Sequence, residues 1–103
     1  MIGIYKIENL VNNKKYIGQS VNIQDRWYHH CIVSLGNTES YQLDQGLIHK
    51  AIKKYGIENF SFEIIEKCTI NELNEKEIYW IAYYHTYIKD PLCHGYNLTP
   101  GGN

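Results

Sequence analysis

Residues 3–20 read GIYKIENLVNNKKYIGQS, in which two stretches rich in Ile and Tyr stand on either side of the pair Asn12-Asn13. Loose alternation of apolar and polar residues around a central asparagine turn predicts a β-hairpin. If residues 11 and 14 pair across the turn, paired residue numbers sum to 25, and any odd sum places Tyr5 and Tyr16 on the same face. A bulge or an even sum would separate the two tyrosines.

Two helical patterns follow the hairpin. Asn22 is a candidate N-cap, and apolar residues at four-residue spacing predict a first helix over about residues 23–34. An apolar stripe from Leu47 to Tyr55 predicts a second helix that ends at Gly56. The opposite face of this second helix is predicted to be exposed and basic, with His49, Lys50, Lys53 and Lys54.

The remaining chain contains patterns for one strand and one helix. Residues 60–67 alternate in the way expected of a strand that is covered on both faces. Thr69 and Glu72 form a capping-box sequence that opens a third helix, and the sequence is irregular from about residue 88. The element order β-β-α-α-β-α predicts an α+β layered fold.

The composition limits the class of protein. The chain has 103 residues, 44% of them hydrophobic, and a formal net charge of -1, which indicates one globular domain over residues 1–103. No apolar run suits a membrane-spanning helix and no signal-peptide pattern is present, so we expect an intracellular protein without a membrane partner. Three cysteines without CxxC spacing are interpreted as buried free thiols.

Charge is unevenly divided along the chain. Residues 1–54 carry seven Lys and Arg against four acids, whereas residues 55–103 carry three against seven. A polyanion could dock on the first half while the second half supplies acidic groups that hold a cation. An ordinary mixed-charge surface explains the same counts, so charge alone does not indicate a nucleic-acid binder.

One carboxylate stands within an apolar stripe of the third helix. Glu77 lies among residues at helical spacing on one face, namely Leu73, Trp80, Ile81 and Tyr84. Burying an unpaired ionised group costs much free energy. Glu77 must therefore be salt-bridged, for example to Arg26, or be protonated, lie at the edge of the stripe, or bind a metal ion. The periodicity does not separate these alternatives.

Arg26 and His30 lie one turn apart on the predicted first helix. Arginine is the side chain best suited to bidentate contact with phosphate, and histidine can exchange a proton near neutral pH. Taken alone, the pair is equally consistent with the polar edge of an amphipathic helix.

Five features, in this order along the chain, resemble the GIY-YIG nuclease superfamily. They are GIY at 3–5, YIG at 16–18, Arg26 with His30, Glu77 three residues before Trp80, and GYN at 95–97. The hairpin and the ending GYNLTPGGN are most similar to the catalytic domains of phage and intron-encoded homing endonucleases. The resemblance implies a three-stranded antiparallel sheet flanked by three helices.

The resemblance also implies a reaction, the Mg²⁺- or Mn²⁺-dependent hydrolysis of DNA phosphodiester bonds to 5′-phosphate and 3′-hydroxyl ends. Glu77 would bind the cation, and Arg26 would neutralise charge in the transition state. Tyr5 would help to deprotonate the attacking water, with Tyr16 close by and His30 as proton relay or phosphate contact. Because the pKa of a free phenol is about 10, the site must assist this base. Which tyrosine acts as the base stays open.

The resemblance further implies contacts to DNA. Asn97 would organise the site or contact a phosphate, and Gly18 would let the substrate backbone approach. The expected DNA-backbone contacts are Gly18, Gln19, Ser20, Lys14, Lys15, Lys50, Lys53 and Lys54. One active site cuts one strand, so a double-strand break would require a transient dimer or a second binding event.

Homing members append a C-terminal DNA-binding region. The sequence is therefore either the catalytic domain of a longer protein or a small stand-alone nuclease, in the cytoplasm of a phage-infected or bacterial host. Some members carry a histidine before the second helix, but residues 36–45 contain Tyr41 and Gln42 there instead, which predicts that catalysis relies on His30. His49, on the exposed face, is predicted to be dispensable. The alternative is a catalytically silent nucleic-acid or protein-interaction module that keeps the fold.

Overall fold

Three antiparallel strands form the centre of the protein. The computed structural model describes residues 1–34 and 47–102, with side chains described for all of these except residues 32–34. The strands are β1 (Gly3–Asn9), β2 (Lys15–Ser20) and β3 (Phe60–Lys67), and β1 lies between the other two. Sequence had predicted these strands, and the structure confirms the α+β class and the antiparallel sheet.

Three helices cover the two faces of the sheet. They are α1 (Ile23–Ser34), α2 (Leu47–Tyr55) and α3 (Leu73–Tyr84), and short 3₁₀ turns precede β3 and α3. Asn22 caps α1 by accepting a hydrogen bond from the Asp25 backbone at 3.2 Å, and the predicted Thr69–Glu72 capping box is present. Among the described residues, no helix has the length and apolar character needed to cross a membrane.

The register of the hairpin differs from the predicted one. Gly3 faces Ser20 and Tyr5 faces Gly18, so that paired numbers sum to 23 rather than 25. The turn is longer than two residues because asparagine side chains hold it: Asn9 accepts from the Val11 backbone and Asn12 from the Lys14 backbone, both at 2.9 Å. The sum remains odd, and Tyr5 and Tyr16 therefore share a face as predicted.

The core has two parts, one on each face of the sheet. Tyr5 and Ile7 of β1 pack with residues of α1 and α2, including Ile23, Ile48 and Ile52. Ile4 of β1 and Ile17 of β2 pack on the other face against Leu73 and Ile81 of α3. The period of two along the strands thus sends alternate side chains to different helices.

The C-terminal segment returns along the outer edge of β2. The chain leaves α3 at His85, whose φ of 55° is left-handed, so irregular structure begins three residues earlier than predicted. The Tyr96 backbone donates to the carbonyl of Lys15 at 2.9 Å, and Tyr96 itself is buried in the core. Cys31, Cys68 and Cys93 are half-buried rather than fully buried.

Candidate active site

Tyr5 lies at the centre of the first cluster of predicted site residues. Its side chain is only 1% exposed, and its ring lies directly over Gly18 on β2. A Cβ added at Gly18 would stand 2.3 Å from the Tyr5 ring, so only glycine fits there. The Tyr5 ring explains why residue 18 is glycine, and the expectation that Gly18 lets a substrate backbone approach stays a prediction.

His30 joins this cluster from α1. Its Nε2 atom lies 3.1 Å from the Tyr5 hydroxyl, within hydrogen-bond distance. The Tyr16 ring completes the cluster, with centroid distances of 6.3 Å to Tyr5 and 6.1 Å to His30. The structure thus brings together three residues that are far apart in sequence and were predicted from the two tripeptides and the first helix.

His49 does not lie where the sequence predicted. It is 3% exposed rather than solvated, and its Nε2 atom lies 2.6 Å from His30 Nδ1. His49 precedes Ile52 by three residues, so the two side chains point only about 60° apart around the helix axis. The buried face of α2 is therefore wider than its apolar stripe and includes His49. The premise that made His49 a dispensable surface residue is therefore wrong.

Burial and nearby positive groups affect the charge of His30. Removal from water lowers the pKa of His30 to about 3, and His49, Arg26 and His29 act in the same direction. His30 is therefore neutral near pH 7. A neutral imidazole has one acceptor nitrogen, which suits a hydrogen bond from the Tyr5 hydroxyl.

Arg26 lies one turn before His30 on α1 and is exposed. It is near enough to His30 to depress the pKa of that imidazole. Within the described part of the chain, no ion pair joins Arg26 to Glu77. That structural explanation for the carboxylate is therefore wrong.

Glu77 lies on the other face of the sheet and belongs to a second cluster. The residue is 6% exposed, and its Oε1 atom accepts hydrogen bonds from Gln19 Nε2 and from the Gly102 backbone, both at 3.0 Å. Gln19 also donates to Asn74 Oδ1 at 2.8 Å. Two neutral donors thus satisfy one carboxylate oxygen without removing the charge of the group.

The two clusters meet at adjacent residues of β2. Gly18 contacts Tyr5 on one face, and Gln19, the next residue, holds Glu77 on the other. Alternation along a strand puts consecutive side chains on opposite faces, which explains how one edge strand serves both clusters. Ser20 ends the strand, and its Oγ accepts a hydrogen bond from the Asn22 backbone at 2.9 Å.

Asn97 supports the strand that joins the clusters. Its Oδ1 accepts from the Ile17 backbone N–H at 2.9 Å, and its Nδ2 donates to the Ile17 carbonyl at 2.8 Å. The side chain is buried and pairs with β2 as a neighbouring strand would. Both ends of this amide are engaged by protein, which fits site organisation rather than phosphate contact.

The predicted basic contacts differ in their surroundings. Lys14, Lys50 and Lys54 line one groove of about 420 Å³ between α2, the hairpin turn and the C-terminal segment. Lys53 is exposed outside that lining. Lys15 is half-buried, with its Nζ 3.1 Å from the Asn13 carbonyl and 3.9 Å from Glu8, so it is less available for DNA than predicted.

A family model described as the GIY-YIG catalytic domain matches residues 1–89, which include both tripeptides and Glu77. The chain belongs to the GIY-YIG family. It is therefore a nuclease domain, as the resemblance predicted.

Two solved structures are similar to this GIY-YIG domain. A mutant form of the catalytic domain of the intron endonuclease I-TevI superposes with a TM-score of 0.77 at 24% identity, covering 97% of this chain and 95% of that one. The catalytic domain of the homing endonuclease I-TevI superposes with a TM-score of 0.71 at 27% identity, covering 96% and 99%. The GIY-YIG domain thus shares its fold with these domains over almost its full length.

Sequence reasoning missed two contacts of the GIY-YIG site. It placed His49 on the surface, and it gave no partner to Glu77 among uncharged residues. The position of His49 at the border of the apolar stripe was a signal for its burial, although not for its contact with His30. No sequence signal pointed to the partners of Glu77, since the hydrogen bond from the Gly102 backbone depends on how the C-terminal segment folds back. Tyr41 and Gln42 lie outside the described residues.

Proposed function

We propose that this domain is a Mg²⁺-dependent DNA endonuclease of the homing type, which hydrolyses phosphodiester bonds to 5′-phosphate and 3′-hydroxyl ends. The observation that carries the proposal is the meeting of the Tyr5–His30 pair and Glu77 at Gly18 and Gln19 of one strand. Hydrolysis of a phosphodiester needs a base for water and a stabiliser of negative charge. The two clusters can supply these on either side of β2.

Tyr5 is proposed as the group that accepts a proton from the attacking water. A phenol must first give up its own proton, and His30 Nε2 lies 3.1 Å from the Tyr5 hydroxyl. Because the lowered pKa keeps His30 neutral, an acceptor is available near pH 7. Tyr16 stands beside this pair, and its role is to order the water and the Tyr5 ring.

The residues at Glu77 fit a hard cation held by few protein ligands. Among the described residues, no group of three or more His, Cys, Asp and Glu side chains could hold a metal ion. Mg²⁺ is commonly bound through one or two carboxylates together with water and substrate phosphate, and Mn²⁺ accepts similar oxygen ligands. Glu77 would hold the cation, and Gln19 and Gly102 fix the carboxylate in place. The bound cation supplies stabilisation of the phosphate and leaving 3′ oxygen.

Arg26 is proposed to bind the scissile phosphate. It is exposed on the helix that also carries His30, and its guanidinium can form two parallel hydrogen bonds to phosphate oxygens. This charge would stabilise the transition state from the α1 face of the sheet.

The wider DNA contact is proposed to involve the lysine groove. Lys14, Lys50 and Lys54 surround one groove, and Lys53 adds a fourth exposed charge on α2. Ser20, at the end of β2, is proposed to donate its hydroxyl to the backbone near the cut. Gln19 is not, because both hydrogens of its amide are given to Asn74 and Glu77. Three or four cations give modest, salt-dependent affinity. A transient dimer, or an additional C-terminal DNA-binding region, would supply the remaining affinity and a second cut.

Nicking of supercoiled plasmid tests the proposal. We expect the purified domain to nick plasmid at low salt with Mg²⁺, and EDTA to stop the reaction. Glu77→Gln should lower the rate at least about 100-fold, since removal of a key electrostatic group typically costs that much. Glu75→Gln, an exposed carboxylate two residues away on α3, is the matched control and should cleave normally.

Two results would contradict the proposal. Equal cleavage by Glu77→Gln and by the unaltered protein would show that the reaction does not need a cation bound by this carboxylate. Absence of cleavage over a wide range of concentrations of folded protein would favour the catalytically silent module instead.

A further inference from the structure

His49 joins the catalytic cluster through His30. Its imidazole Nε2 lies 2.6 Å from His30 Nδ1, and the two ring centroids are 4.7 Å apart. The residue is 3% exposed and stands on α2 beside Ile48 and Ile52, which are both in the core. Three groups therefore follow one another in hydrogen-bond distance: the Tyr5 hydroxyl, His30 and His49.

The contact between the two imidazoles restricts where their protons reside. A nitrogen pair at this distance shares one proton, since two bare nitrogens or two N–H groups would repel each other. If the Tyr5 hydroxyl donates to His30 Nε2, the proton of neutral His30 is on Nδ1. His30 then donates to His49 Nε2, and the second nitrogen of His49 carries its own proton.

We propose that His49 is a positioning residue of the nuclease site, which holds His30 in the tautomer that accepts the Tyr5 proton and receives the proton that His30 releases. The inference rests on the proposed function, in which Tyr5 deprotonates the attacking water. It assigns to α2 a part in the chemistry that its sequence pattern did not indicate.

The proton transfer balances in two linked steps. The Tyr5 O–H bond breaks as an N–H bond forms at His30 Nε2, and the His30 Nδ1–H bond breaks as an N–H bond forms at His49 Nε2. His30 stays neutral in its other tautomer, and the positive charge moves to His49. The Tyr5 phenolate then takes a proton from the water that attacks phosphorus. The proton taken from water restores the Tyr5 O–H bond. The starting state returns when His49 Nε2 gives its proton back to His30 Nδ1 and the proton on His30 Nε2 passes to the solvent that replaces the product, so each turnover releases one proton.

The surroundings of His30 favour a transfer that leaves it neutral. Burial lowers the pKa of His30 to about 3, and Arg26 and His29 on the same helix disfavour a second positive charge there. From the sheet, Tyr5 and Tyr16 are the titratable groups that face His30. A simple transfer from Tyr5 would leave the imidazolium charge on His30, whereas passing the second proton on leaves His30 neutral and moves the charge to the next ring, that of His49.

Substitutions at His49 separate holding the tautomer from receiving the proton. His49→Gln keeps an oxygen that can accept from His30 Nδ1 but cannot take up a proton. His49→Phe removes both abilities while keeping a planar ring in the core. We expect kcat for a saturating DNA substrate at saturating Mg²⁺ to fall about 100-fold in His49→Phe, the lower end of the usual range for proton-transfer groups, with KM unchanged. In His49→Gln, which keeps one of the two abilities, kcat should fall by only about 10-fold.

The pH dependence provides a readout that a packing role would not change. An acceptor histidine loses its function when it is protonated, so kcat of the unaltered protein should fall as the pH is lowered. In His49→Gln this decrease of kcat at low pH should disappear, while kcat at the pH optimum stays below that of the unaltered protein. His94→Gln, an exposed histidine in the C-terminal segment, is the matched control and should keep both the rate and the profile.

Nitrogen NMR of the unaltered protein tests the tautomer without any substitution. We expect ¹⁵N shifts at pH 7 to show His30 protonated at Nδ1 and bare at Nε2. A His30 protonated at Nε2, or a His49→Phe protein that is folded and cleaves with unchanged kcat and pH profile, would overturn the inference. Failure of the unaltered protein to cleave would instead contradict the proposed function, so the two failures are distinguishable.

Discussion

At the scale of single residues, Gly18 and Tyr5 form the tightest constraint in the site. The phenol occupies the position that any other side chain at residue 18 would need. A methyl group there would push the Tyr5 hydroxyl away from His30, to which it is hydrogen-bonded at 3.1 Å. The glycine of the second tripeptide is thus explained by the tyrosine of the first, since each fixes the position of the other across the hairpin.

The buried His30 makes stability depend on pH. Its pKa is about 3 in the folded protein and about 6.5 in an unfolded chain, so the unfolded state binds the extra proton between these values. The contribution of this residue to stability is complete above about pH 6.5 and is lost as pH falls towards 3. We expect the urea concentration at the midpoint of unfolding to decrease as the pH is lowered from about 6.5 towards 3. His30→Leu should flatten this part of the curve, and an unchanged slope in that variant would show that other groups cause it.

Sequence reasoning succeeded at residues whose role follows from spacing. Tyr5, Tyr16 and His30 come together because hairpin parity and helical periodicity determine their faces, and those periods can be read from the sequence. Glu77 stood out because a carboxylate in an apolar stripe requires an explanation. The partners of these residues were not predictable, since the contact of His30 with His49 depends on how two helices cross over the sheet.

At the scale of elements, β2 depends on Asn97 for its outer side. Asn97→Ala would leave the N–H and carbonyl of Ile17 without these partners in a buried position. We expect a loss of about 2 kcal/mol in the free energy of unfolding, and faster exchange of the Ile17 amide hydrogen. Asn71→Ala, at an exposed asparagine before α3, should leave both unchanged.

An effect of Asn97→Ala no larger than that of Asn71→Ala would mean that the amide does not support β2. A reduced cleavage rate in a variant with normal stability would instead point to a direct part in catalysis.

The elements themselves were predicted well, and their junctions less well. α1 begins after Asn22 and α2 ends before Gly56, as these capping signals predicted. The Thr69–Glu72 capping box opens a short 3₁₀ turn, and α3 itself begins at Leu73. The hairpin register was off by two because asparagine side chains widen the turn, a choice that local propensity does not determine.

At the scale of the whole molecule, three lysines from the hairpin turn and α2 line one groove. We expect the affinity for duplex DNA to fall with salt, and the slope of log K against log salt to decrease by about 1 for each groove lysine changed to Gln. The slope should thus decrease by about 3 in the triple variant, in which Lys14, Lys50 and Lys54 are all changed to Gln. Lys67→Gln, at the end of β3 on the far edge of the sheet, is the control.

A triple variant with an unchanged slope would place the DNA elsewhere on the surface. A slope reduced equally by Lys67→Gln would indicate diffuse attraction rather than a defined groove.

The strand-like pairing of the C-terminal segment has a consequence for how the domain can be shortened. Backbone bonds from residues 94–96 and the amide of Asn97 cover β2 at Lys15 and Ile17, yet the family match ends at residue 89. A protein cut at that family boundary would keep every proposed catalytic side chain but present an uncovered strand edge. Uncovered edges pair with other copies, so such a fragment should aggregate. We therefore expect the GYN motif to keep the domain from aggregating as well as to support its active site.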